Sequence, residues 1–265
     1  MPSPRLGFGL VAGVTVAVIA AALLAPRTPQ PVAYHHFADQ RGLAGIPRFG
    51  DVASNLPFAV IGVWGLIFLN GRSGRARFLD PRERYPYLLV FIGLLLTAVG
   101  SAYYHLTPDN TRLVWDRLPM TLVFMSLVAA TIAERIGVRL GLGLWPFLIL
   151  VGAGSVLQWY WSEQRGVGDL RFYAAVQVYA LAVLLVALLI PARYTRTSDL
   201  AVVAGFYVLA KVLESRDRAI FSAGHIVSGH TLKHLAAAGA GYWILRMLQK
   251  RRPIPIQAES PAPGP

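Results

Sequence analysis

The chain has 265 residues, 55% of them hydrophobic and 14% charged, against about 25% charged in an ordinary soluble domain. That is too little charge to clothe a soluble globule of this size, whereas a surface that meets lipid tails needs none over its immersed part. The charges are also lopsided, 25 Lys and Arg against 13 Asp and Glu for a formal +12, which leaves nucleic-acid binding or membrane topology as the explanation.

A membrane-crossing helix needs roughly 20 mostly apolar residues. Eight stretches qualify, near 6–25, 52–70, 85–106, 115–136, 142–160, 170–191, 199–213 and 228–248, the seventh being the shortest. The first follows a basic start, as a secretory leader does. Its apolar run exceeds the about 7 to 15 residues usual in such leaders, so residues 1–27 read as a retained anchor. Eight spans leave no room for a soluble domain, and the expected fold class is all-α, a polytopic membrane helix bundle. Residues 249–265, rich in Pro beyond Pro253, read as a disordered cytoplasmic tail.

Sorting the cations by connection gives 14 Lys and Arg on one side of the membrane and 7 on the other. The excess of basic residues on cytoplasmic loops then puts both termini in the cytoplasm. No basic surface interleaved with aromatics is evident, so nucleic acid is not an expected partner.

With no cysteine in the chain, disulfides, thiol nucleophiles and Cys-based zinc sites are excluded, and any metal must use His or carboxylate. The third span ends in Gly100-Ser101-Ala102-Tyr103-Tyr104-His105, which places Ser101 and His105 on one helical face. Asp116 follows as the fourth span starts, after a connection broken by Pro108. The eighth span opens with His230 and His234, a second i, i+4 pair. Two imidazoles so spaced can hold one metal, and a catalytic zinc usually takes three protein ligands, the third being available from His105. All of these residues fall on the less basic, extracytoplasmic side.

Each feature has a plainer reading. Ser101 can bond back to its own helix, the His pair can form an interfacial polar face, and Asp116 can pair with Lys233 or Arg117. His35, His36 and His225 lie in connections and suit solvated or gating roles, His225 being the substitute ligand if one of the three fails. Lys211 and Glu214 are spaced for a helical salt bridge, and Arg216, Asp217 and Arg218 read as a solvated rim.

The pattern of Ser-x3-His closing one helix, Asp opening the next and His-x3-His in the last resembles the motif set of the alkaline ceramidase family. That family lies within the CREST superfamily, alongside the adiponectin and progestin receptor-like proteins and the hemolysin III-type proteins. The segment from Gly45 to Phe58, with Ser54-Asn55-Leu56, is similar to the start of the first core helix in ceramidase-like proteins, especially bacterial ones. The resemblance covers residues 38–248.

It implies a seven-helix core preceded here by one extra N-terminal transmembrane helix, and zinc held by His105, His230 and His234. It also implies a bacterial cell membrane, with hydrolysis of the amide of ceramide or a related N-acyl lipid to a fatty acid and an amine. In that reading Asp116 takes the proton of the attacking water and passes it to the leaving amine, while Ser101 donates a hydrogen bond to the water or the developing oxyanion. Tyr104 and Trp115 neighbour the site in sequence and are candidates to line the acyl path, although aromatics near an interface usually serve as anchors.

Two departures stand out. Eukaryotic relatives resemble one another in an acidic calcium-binding stretch before the first core helix, whereas here Asp39 and Asp51 stand amid Arg41 and Arg48, a poor donor set for Ca2+. The last motif encloses Thr231-Leu232-Lys233, where those relatives lead one to expect an aromatic, and this bears on the substrate pocket. A receptor-like or regulatory protein with a structural zinc is the alternative from a different class. Oligomeric state is not legible.

Overall fold

The structure, a computed structural model, describes residues 4–254. All eight expected stretches are helical: α1 (Pro4–Leu24), α2 (Leu56–Asn70), α3 (Arg84–Leu106), α4 (Asn110–Arg135), α5 (Val138–Gln164), α6 (Arg171–Ala187), α7 (Asp199–Ser215) and α8 (Gly229–Lys250). Short helices at Phe49–Ala53, Arg72–Arg75 and Asp217–Gly224 occupy connections. The molecule is an all-α membrane bundle. Five segments are long and apolar enough to cross a membrane: α1, Phe49–Asn70, Pro81–Leu106, α4 and α5. Helices α6 and α7 have 17 residues each, and α8 carries Lys233 between its two His.

The helix ends follow local chemistry. Pro108 lacks an N–H and disfavours helix in the residue before it, so α3 stops at Leu106. The Asp109 carboxylate then accepts from the Arg112 backbone N–H at 2.7 Å, a cap that starts α4 five residues earlier than the apolar run alone suggests. Ser228 caps α8 by accepting from the Thr231 N–H at 3.0 Å.

Helices α2 to α8 form a ring that closes where α8 packs on α2, while α1 lies outside against α6. Lipid is as apolar as the packed side chains, so close backbone approach and polar contacts hold such helices together. Two glycines allow that approach at the end where α3 meets α4 and α8 meets α7. A Cβ on Gly100 would lie 1.9 Å from the Trp115 carbonyl oxygen, and one on Gly229 would lie 2.3 Å from that of Leu213.

The opposite end is tied by a buried ionic network. Arg251, 1% exposed, donates to Glu134 and stacks over Phe78, Tyr87 and Tyr194. Glu83 accepts from Arg193 and from the Tyr194 hydroxyl. The expected tail therefore needs a correction over its first residues. Gln249 and Lys250 finish α8, and Arg251 to Ile254 run along the connection after α6, with Ile254 N–H donating to the Arg193 carbonyl at 2.9 Å. Paired charges and backbone bonds hold them there. The rest of that tail lies outside the described residues.

Candidate metal centre

The last turn of α3 carries His105, and the first two turns of α8 carry His230 and His234. Ring closure of the bundle brings them together. All three are buried, their ring centroids are 4.8 to 5.0 Å apart, and one ligand atom from each lies within 4.8 Å of the others. His230 Nε2 and His105 Nε2 are 3.2 Å apart. Two nitrogens on one tetrahedral zinc, at metal–nitrogen lengths of about 2.0–2.1 Å, would be about 3.3 Å apart. The donor set therefore fits a single ion.

Neighbouring groups orient the rings. Ser54 Oγ lies 2.8 Å from His234 Nδ1 and 3.2 Å from the Asp51 carbonyl, a partner for the ring nitrogen that faces away from the other two imidazoles. With its N–H on Nδ1 towards Ser54, His234 would present Nε2 unprotonated, as a ligand must be. Asp217 fixes the start of α8 by accepting the His230 backbone N–H at 2.8 Å, and it also accepts the Ala38 N–H at 2.9 Å. Phe37 covers the triad, its ring centroid 4.6 Å from His105 and 4.4 Å from His230. Arg48 caps α3 by donating to the carbonyls of His105 and Leu106, each at 2.7 Å. His105 Nδ1 is buried with no partner among the described residues.

Gly100 brings Ser101 against Asp116, both buried. Neither cation considered for Asp116 bonds to it. Lys233 Nζ donates to Glu214 at 2.8 Å, and Arg117 donates to Gln30 Oε1 at 2.6 Å. Ser101, Asp116 and His234 line a cavity of about 350 Å³ whose other walls are mostly apolar, from Phe58 and Leu94 to Leu127, Leu184 and Ile244. A second, surface hollow lies over the same end, lined by His35, Phe37, Arg48 and Asn110 among others.

The two aromatics expected along the acyl path do not line that cavity. Trp115 is 57% exposed, because one residue along a helix turns about 100° and the burial of Asp116 directs its neighbour outward. Tyr104 is buried, but it packs on Phe37 and bonds through its hydroxyl to His35 Nδ1 at 2.9 Å. His35 also meets Asn110 Oδ1 at 2.9 Å. His225 is exposed at the end of the helix Asp217–Gly224, outside the triad. Asp39 is engaged by the Arg41 guanidinium, and Asp51 accepts from Ser228 and Thr231. Lys211 does pair with Glu214, at 2.9 Å, but Asp217 is a half-buried tether rather than part of a solvated rim.

Ser54, Phe37, Asp217 and the Lys233–Glu214 pair were not singled out for the site from sequence. The Ser54-Asn55-Leu56 segment was the one local signal among them. Comparison of the chain with protein-family models and with curated proteins found no match.

Proposed function

We propose that the chain is a metal-dependent hydrolase of lipid amides, with zinc held by His105, His230 and His234, in line with the resemblance to alkaline ceramidases. The observation that carries this reading is a buried triad of imidazoles, one of which, His234, lines a largely apolar cavity together with Ser101 and Asp116. When bound there, the metal supplies Lewis acidity, lowering the pKa of water and polarising a carbonyl.

The chain's own groups account for the rest. The apolar walls take the acyl chain and hold the amide beside Asp116. Free of a direct ion pair, Asp116 accepts a proton from the attacking water as the carbon–oxygen bond forms. It returns that proton to the nitrogen as the carbon–nitrogen bond breaks, so one water is consumed and a fatty acid and an amine are released. Ser101 offers its O–H to the attacking water or the developing oxyanion beside Asp116. Phe37 shields the imidazoles from bulk water.

The cation distribution supports both termini in the cytoplasm and the triad towards the extracytoplasmic side, while the bacterial cell membrane follows from the resemblance alone. A reporter fused at the C-terminus is expected to be active in the cytoplasm, and activity only outside it would reverse the topology.

The cover of Phe37 over three deeply buried imidazoles suits a structural ion in a receptor-like protein as well. Metal analysis combined with fatty-acid release from a panel of lipid amides separates the two. The enzyme is expected to hold about one zinc and release fatty acid; full zinc with no release across the panel favours the receptor-like reading.

A further inference from the structure

The polar end of the cavity holds more positive charge than the proposed chemistry uses. Arg117, Lys211 and Lys233 line it against two carboxylates, Asp116 and Glu214. Glu214 is already engaged: it accepts from Lys233 at 2.8 Å, from Lys211 at 2.9 Å and from the Tyr34 hydroxyl at 3.2 Å. One carboxylate between two ammonium groups leaves a cation in excess. Arg117 is only 4% exposed, its hydrogen-bond acceptor is the neutral Gln30 amide, and its Nη1 is buried with no partner among the described residues. Aromatic faces hold its guanidinium, with Trp159 at 4.1 Å and Tyr173 at 4.6 Å from Cζ. Lys233 Nζ stands 3.5 Å from His230 Nε2, at the rim of the triad.

Lys211 is half exposed and Lys233 has Glu214, so the buried cation short of an anionic partner is Arg117; such a cation is costly, and inside a membrane it marks a site of function. The fork of Arg117, held flat by the rings, is suited to an oxyanion with planar geometry. We infer that Arg117 and Lys233 form a subsite for a carboxylate on the amine portion of the substrate, so that the preferred amides are N-acyl amino acids. The inference rests on the hydrolase reading. It places the acyl chain among the apolar walls and the acid group at the opposite, cationic end of the same cavity. Neutral ceramide would leave Arg117 Nη1 unpaired.

The test compares N-oleoylglycine, N-oleoylethanolamine and N-oleoylsphingosine, which share one acyl chain, on the purified full-length protein. Fatty-acid release is measured on zinc-loaded protein, and binding by thermal stabilisation of metal-free protein. The glycine amide is expected to have the highest kcat/KM and to stabilise the metal-free protein more than the ethanolamide does. Arg117→Gln and Lys233→Gln are each expected to cut the preference for the acidic amide at least about tenfold, the scale of one hydrogen bond to a charged group. Since Lys233→Gln strands Glu214, the double variant Lys233→Gln/Glu214→Gln is made alongside it and is expected to lose the preference while folding.

Hydrolysis with no preference for the glycine amide, or a preference unmoved by these variants, would overturn the subsite and leave the hydrolase reading standing. Selective binding of the acidic amide with no hydrolysis of any amide would overturn the hydrolase and retain the anion subsite. Neither binding nor hydrolysis would overturn both.

Discussion

His105 Nε2 and His230 Nε2 lie 3.2 Å apart although 125 residues separate them in the chain. Two ring nitrogens so close, with His234 beside them, form a donor set for one ion, and the roles of these residues should separate on mutation. His105→Ala and His230→Ala are expected to lose bound metal and turnover together. Asp116→Asn is expected to keep the metal and lose turnover by about 10²–10⁴-fold, the usual worth of a general base. Metal content by mass spectrometry, read beside initial rates, distinguishes the two behaviours.

The approach of α3 to α4 rests on Gly100. A methyl group there would meet the Trp115 carbonyl at 1.9 Å, and a backbone atom cannot swing aside. Gly100→Ala is expected to destabilise the bundle by about 1–3 kcal/mol or more. It should also lower turnover, because it parts Ser101 from Asp116. Gly205→Ala, on α7 with open space at the Cβ position, is the control and is expected to be neutral or slightly stabilising. Thermal unfolding in detergent reads the difference.

The connection that covers the triad should respond to acid through His35. Burial holds this imidazole below its ordinary value of 6.5, so folding favours the neutral ring. Its contribution is complete above the unfolded pKa and is lost as pH falls below it. Protonation also removes the Nδ1 lone pair that meets the Tyr104 hydroxyl. Protection factors for amide exchange across residues 31–48, taken against the intrinsic rate at each pH, are expected to fall between pH 7.5 and pH 5.5 in the native protein. The change should be smaller in His35→Gln, and an identical change in the variant would exclude His35 as its source.

At the far end, Glu134 and Arg251 are a buried pair. Removing one partner strands the other, and Glu134→Ala is expected to cost about 3–5 kcal/mol. Truncation after Lys250 is expected to be destabilising too, since it removes the guanidinium and the backbone bonds of residues 252–254. Unfolding midpoints of the two variants against the native chain provide the check.

What could be read from the sequence follows the range of the interactions. The eight helices were legible because apolar runs of membrane length are local, and the i, i+4 pairs Ser101/His105 and His230/His234 were legible for the same reason. Asp116 was found because Pro108 marks a turn that makes α3 and α4 neighbours. The pairing of Lys233 with Glu214 rather than Asp116 was not legible, because it depends on how α7 packs against α8. Phe37 and Asp217 were missed for a similar cause: their roles arise from where two connections cross the end of the bundle. Trp115 was placed at the site by proximity in sequence, although the helical turn between it and Asp116 points it away.

The central claim is that this buried triad, with Asp116, serves hydrolysis of an amide held in the adjoining cavity. Its most direct test is fatty-acid release by purified, zinc-loaded protein from oleoyl amides, with Asp116→Asn run in parallel. The account predicts release by the native protein and a loss of at least about 10²-fold in the variant. A protein holding one zinc that releases no fatty acid from any of these amides, or a variant as active as the native chain, would contradict it.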